Sequence, residues 1–154
     1  MKIFYLDASA WVKRYFEETG TACVEELFGR IDASFCCSPL GFIEVLATVF
    51  RKLKAGELEL EKSQQIQQEL TKDWNLFIRV RFTKKVEHSA RKVVEDFALR
   101  GADSIHLASA FSLNEQLENE GGIVFVASDK ELKTAAWNSG LEVLDPTDNT
   151  ESSI

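Results

Sequence analysis

Short apolar runs alternate along this chain with stretches of helical period, and that alternation restricts the possible folds more than any other feature. Residues 3–6, 33–37, 77–82, 123–127 and 141–144 carry the apolar runs and read as strands. Helical periods fill residues 11–16, 21–31, 39–55, 58–74, 84–99, 103–118 and 130–138. The punctuation agrees with these limits. Ser38 and Pro39 supply an N-cap and a first-turn proline, Gly56 stops the helix that follows, Gly101 breaks the chain before the next-to-last helix, and Gly140 caps the last one ahead of Pro146. Continuous apolar strands need cover on both faces, so the pattern predicts an α/β protein with a central parallel sheet between helices.

At 154 residues the chain can bury one sizeable core and is short for two, so residues 1–146 are expected to form one domain and 147–154 a polar tail. The acidic text from Asp145 onward is expected to fray. No apolar run is long enough to cross a bilayer, and Asp7 interrupts the first one before a signal-peptide core develops, so a cytosolic protein with no membrane contact is expected. Cys23, Cys36 and Cys37 form neither a CxxC nor a zinc-ligand spacing and read as small apolar residues. Trp11, Trp74 and Trp137 read as core or interface anchors. A net charge of −7 argues against a general nucleic-acid coat protein, because phosphate binding requires positive charge to replace counterions. Nucleic acid would have to be met locally, by bound cations or by one or two of the basic groups Lys13-Arg14, Arg51-Lys52-Lys54, Arg79-Arg81 and Lys84-Lys85.

In open α/β sheets ligands bind beyond the carboxyl ends of the strands, which directs attention to the residues that end them. Asp7 closes the first strand, and Asp129 follows the fourth with only Ser128 between. Either aspartate could be no more than a helix N-cap. Ser128 and Glu131, however, fit a capping box that would cap the last helix without Asp129, and Ser9 could cap the first helix in place of Asp7. Asp103 opens a helix that is apolar around nearly its whole circumference, where a carboxylate gains from the helix dipole but must also face a partner or a pocket. On the helix after Pro39, Phe42, Val45, Leu46, Val49, Phe50 and Leu53 form an apolar stripe, with Glu44, Thr48 and Arg51 on the opposite side. That side suits a solvated surface or a cleft. Carboxylates that converge raise one another's pKa values, and a hard divalent cation relieves the conflict while equipping the site for phosphodiester hydrolysis.

Four segments then become recognisable together: Tyr5-Leu6-Asp7-Ala8-Ser9-Ala10, Ile43-Glu44-Val45, Ala102 through Ala110 with the text Asp103-Ser104-Ile105-His106-Leu107, and Val126-Ala127-Ser128-Asp129-Lys130-Glu131-Leu132. They resemble the PIN-domain family, and more narrowly the VapC-like toxins of type II toxin-antitoxin pairs, from the first strand to about Pro146. The resemblance implies a three-layer α/β/α fold and endoribonuclease activity dependent on Mg²⁺ or Mn²⁺. It also implies a metal pocket of Asp7, Glu44, Asp103 and Asp129, supported by Ser9; Ser128 next to Asp129, and Arg51 on the same helix side as Glu44, are further candidates for support on their position alone. A homodimer and a small cognate antitoxin that covers the groove are implied as well. The long polar stretch over residues 57–73 departs from the pattern and bears on partner contacts. His106 lies inside the best-matching segment, and an imidazole on a buried helix reads as structural.

Three other readings compete. The same fold could serve RNA maturation or decay without an antitoxin. A phosphoacceptor or phosphatase with Asp7 as nucleophile would want a second acid near the first, where Ser9 stands. A binding module could carry the acids as relics.

Overall fold

The computed structural model describes residues 1–148. The first strand, β1 (Lys2–Leu6), occupies the middle of the sheet, and everything but its first residue is buried. From it the chain passes through α1 (Ala8–Trp11), a 3₁₀ turn (Val12–Arg14) and α2 (Thr21–Phe28) to β2 (Ala33–Cys37). It continues through α3 (Pro39–Lys54) and α4 (Leu60–Leu76) to β3 (Ile78–Arg79) at the sheet edge, then through α5 (Lys84–Phe97) and α6 (Gly101–Gln116) to β4 (Ile123–Val126) on the other side of β1. Finally α7 (Lys130–Asn138) leads to β5 (Glu142–Leu144).

The resulting order is β3-β2-β1-β4-β5, and every neighbouring pair is parallel. Right-handed crossovers that run outward from β1 in opposite directions set their helices on opposite faces of the sheet, which produces the expected three layers. The two faces differ in filling. Phe4 and Phe35, paired in register, meet Phe28 and Phe77 on one face, with Phe28 and Phe35 stacked at 4.2 Å between centroids. Trp11 and Trp74 extend that aromatic layer. On the other face Tyr5 stacks on Phe125 at 5.4 Å, and His106 from α6 packs edge-on against Tyr5. Trp137, by contrast, is 67% exposed and anchors no core.

Several limits move. The strand expected over 77–82 shortens to β3, both of whose residues are exposed, because Arg79 and Arg81 alternate with apolar residues and β3 has a strand neighbour, β2, on one side alone. The helix expected over 11–16 is a single α turn followed by the 3₁₀ turn, and α2 ends at Phe28 with Gly29 as its C-cap instead of reaching residue 31. Ala98 takes a left-handed conformation at φ 52°, which closes α5 before residue 99. The segment after β5 does not fray where it begins. Asp145 accepts hydrogen bonds from the Thr147 amide and hydroxyl and from the Lys133 ammonium. The remainder of the expected tail, residues 149–154, lies outside the described residues.

One polar network fastens the start of the chain to α4. Arg14 donates from Nε to Asp73 at 2.7 Å, and the Tyr15 hydroxyl donates to the same carboxylate at 2.6 Å while accepting from Trp11 Nε1. The Arg14 guanidinium also lies 3.9 Å from the centre of the Phe28 ring. Asp73→Ala would leave the buried Tyr15 hydroxyl without its acceptor and the partly buried Arg14 with Glu25 alone among the described residues, at 3.5 Å, so it is expected to cost about 2–3 kcal/mol. Urea denaturation of wild type and variant measures this, and an unchanged midpoint would refute it.

Candidate active site

β1 and β4 are hydrogen-bonded neighbours with Leu6 opposite Val126, and the Asp7 amide continues the ladder by donating to the Val126 carbonyl at 3.1 Å. This is where the strand order reverses direction, the position at which open α/β sheets hold their ligands. Asp7 and Asp129 therefore leave adjacent strands at the same edge of the sheet. The first turn of α6 brings Asp103 to that edge, and α3 brings Glu44.

Asp7 is 4% exposed. Its Oδ1 accepts from the Ala10 amide at 3.0 Å, and the Ser9 hydroxyl donates toward both carboxylate oxygens at 2.8 and 3.0 Å. Asp7 is thus the N-cap of α1, and Ser9 supports Asp7 instead of replacing it as cap. The capping box at α7 is corrected in the same sense. The helix begins at Lys130, so Asp129 occupies the N-cap and its Oδ1 accepts from the Leu132 amide at 2.9 Å. Ser128 sits one residue too early to reach those amides, and its buried hydroxyl has no partner among the described residues. A capping carboxylate uses one oxygen and leaves the other available, so the cap does not compete with a second role.

Asp103 has a side chain 13% exposed, and its Oδ2 accepts from Arg100 Nε at 3.0 Å. Glu44 is one-third exposed and meets His106 Nε2 through Oε1 at 2.5 Å. On the outer side of α3, Glu44, Thr48 and Arg51 line a cleft together with Ser9, Ile43 and Ala47, and Arg51 Nη2 donates to Thr48 Oγ1 at 2.9 Å. The apolar stripe of α3 is less tidy than its spacing implies, since Phe50 is 48% exposed.

Charge couples these groups. Burial pushes the Asp7 carboxyl up from 3.8 to about 6, against the lowering influence of His106, the Ala10 amide and Ser9, and Asp103 raises it further. The Arg100 guanidinium is held above its ordinary range chiefly by its hydrogen bond to Asp103, with Asp129 and Glu44 adding to its field. The acids therefore share one electrostatic neighbourhood at the carboxyl edge of the sheet. They are not drawn into a closed cage, for no group of three or more His, Cys, Asp or Glu residues stands ready to hold a metal ion among the described residues. Asp103 is turned to Arg100 and Glu44 to His106.

Three participants escape sequence reasoning. Arg100 lies three residues before Asp103, a spacing at which helix neighbours meet, and so left a faint signal. Tyr5 reads only as one apolar residue of a strand. The contact of His106 with Glu44 spans 62 positions and leaves no local trace.

Comparison with known proteins agrees with the fold. The PIN domain family model matches residues 4–138. The chain is 32% identical over 150 residues to ribonuclease VapC45 of Mycobacterium tuberculosis (strain CDC 1551 / Oshkosh), covering 95% of this chain and 100% of that protein. Among solved structures, FitAB bound to an IR36 DNA fragment superimposes with a TM-score of 0.69 at 16% identity, covering 97% of this chain and 99% of that one. VapBC2 from Rickettsia felis, bound to a DNA fragment from its promoter, gives 0.64 at 15% identity over 93% and 98%. At such identities the two structures attest to the fold alone. Among the described residues no helix is long and apolar enough to cross a membrane. With a family model spanning most of its length and a relative aligned from end to end, the chain belongs to the PIN-domain family, in its VapC-like branch.

Proposed function

We propose that this protein is a Mg²⁺- or Mn²⁺-dependent endoribonuclease, the toxin of a type II toxin-antitoxin pair, working in the cytosol as one nuclease domain over residues 1–146 with a polar tail over 147–154. The observation that carries the reading is the emergence of Asp7 and Asp129 from adjacent parallel strands at the switch point, with Asp103 in the field of Asp7. The named ribonuclease relative lends it support.

The residues present suit a hard divalent ion. Asp7 is a buried carboxylate to which, among the described residues, one hydroxyl and one amide donate, and the other acids nearby offer carboxylate oxygen. Asp7, Glu44, Asp103 and Asp129 would hold the metal, with Ser9 orienting Asp7 and the free Ser128 hydroxyl beside Asp129. When bound, such an ion polarises a phosphodiester and makes water acidic enough to attack it. Among the described residues Arg51 keeps Nε and Nη1 uncommitted on the groove wall, and Arg100 keeps both Nη groups, so each can take a phosphate oxygen of RNA. These local cations matter because the net charge of −7 repels RNA elsewhere.

For partners, the reading includes an RNA substrate, a second copy of the chain and a small cognate antitoxin. Ile43 and Phe50 on α3, 55% and 48% exposed beside the groove, suit a protein cover. The test is cleavage of total RNA by purified, antitoxin-free protein across a range of Mg²⁺ and Mn²⁺ concentrations, with cut ends sequenced. Metal-dependent cuts are expected, and RNA left intact at every concentration would end the proposal. A small open reading frame directly upstream favours the toxin over a processing enzyme.

A further inference from the structure

Tyr5 is fully buried at the middle of the sheet, yet its hydroxyl is doubly engaged. It accepts from the Ser38 amide at 3.1 Å, so its own hydrogen has to find another acceptor. His106 Nδ1 is 2.9 Å away. If Nδ1 accepts, the ring carries its hydrogen on Nε2, and Nε2 faces Glu44 Oε1 at 2.5 Å. His106 is itself 2% exposed and packs edge-on to Tyr5, with 75° between the ring planes. A flipped ring would set carbon against both partners.

The backbone of α3 is placed for this contact. A Cβ on Gly41 would fall 2.3 Å from Cys37 Sγ and 3.2 Å from His106 Cε1, so glycine is what lets the helix lie so close to Cys37, with the imidazole in tight contact beside it. Glu44 follows Gly41 by one turn on the same side of the helix, and it lines the groove with Ser9 and Arg51.

We propose that the buried chain from the Ser38 amide through Tyr5 and His106 to Glu44 aims the Glu44 carboxylate into the metal pocket, which makes Tyr5 and His106 positioning residues that act through Glu44. The inference rests on the metal-dependent reading of the site. Groups behind a metal-binding carboxylate fix its orientation, and losing one typically weakens metal affinity about 10–100-fold.

The experiment is a calorimetric Mn²⁺ titration of the full chain as wild type, Tyr5→Phe, Glu44→Gln and the double variant. Tyr5→Phe is expected to weaken Mn²⁺ binding about tenfold, and to cost nothing further once Glu44→Gln is present. A Tyr5→Phe protein that binds Mn²⁺ like wild type overturns the inference. So does full additivity of the two substitutions, or a Glu44→Gln protein of undiminished affinity. A wild type that binds no Mn²⁺ removes the metal-dependent reading and the relay together, whereas a failure confined to the variants removes only the relay. A second measurement needs no variant to fold. In ¹⁵N-histidine spectra of the metal-free wild type, His106 is expected with its hydrogen on Nε2 and with Nδ1 unprotonated. A protonated Nδ1 on His106 would overturn the relay.

Discussion

Asp103→Asn is expected to reduce RNA cleavage at saturating Mn²⁺ by about a thousandfold, which corresponds to about 4 kcal/mol of lost transition-state stabilisation. The substitution keeps the shape of the side chain and removes its charge. Because the partner of Asp103 among the described residues is Arg100, whose side chain is 82% exposed, the lost ion pair contributes about 0–1 kcal/mol to stability. The loss of a charge in the first turn of α6 adds a similar small term. The melting temperature is therefore expected to move by no more than about 8 °C. Single-turnover cleavage beside a thermal melt separates the two quantities. An Asp103→Asn protein that cuts at the wild-type rate would exclude Asp103 from the chemistry, and one that is unfolded would show that its role is structural.

Asp7→Asn is expected to abolish activity to a similar extent and, unusually, to stabilise the metal-free protein at neutral pH. Burial raises the Asp7 carboxyl from 3.8 to about 6, so between those values the folded chain holds a proton that the unfolded chain has released. The contribution to stability is complete below 3.8 and is lost as pH rises through about 6. At pH near 7.5 the wild type thus bears an ionised, desolvated carboxylate at a cost of about 3 kcal/mol. Asparagine serves as an N-cap as well as aspartate and carries no charge, although its amide needs an acceptor in a buried place, so a net gain of about 1–3 kcal/mol is expected. Chemical denaturation at pH 7.5 and at pH 4 tests the sign. The gain should appear at the higher pH and vanish at the lower, and a destabilised Asp7→Asn protein at pH 7.5 would refute the account. Mn²⁺ should raise the midpoint of the wild type and leave Asp7→Asn nearly unmoved, since a ligand stabilises only the state that binds it. The two effects have one origin, for the charge that makes Asp7 useful to a cation is the charge that folding penalises.

Much of the architecture was legible before any coordinate. The runs at residues 3–6, 33–37 and 123–127 became central strands nearly to the residue, because a continuous apolar run bounded by caps has few other ways to be buried. The edge strand at 77–82 was overestimated, since an edge position depends on what covers it and the covering elements lie far away in the chain. The caps show the finer limit. Whether Ser128 or Asp129 holds the amides of α7 turns on a one-residue difference in where the helix begins, and Asp129 has the N-cap geometry.

By itself, the sequence determined the alternation of strands and helices, the all-parallel sheet that follows from it, and the presence of acids just past the ends of β1 and β4. Periodicity and capping act over a few residues, and so they can be read along the chain. Only the tertiary structure decided that Asp103 turns to Arg100, that Asp7 is buried deeply enough to hold its proton to about 6, and that His106 reaches Glu44 across 62 positions. Those outcomes depend on distance and desolvation, which exist only once the sheet, α3 and α6 have closed on one another.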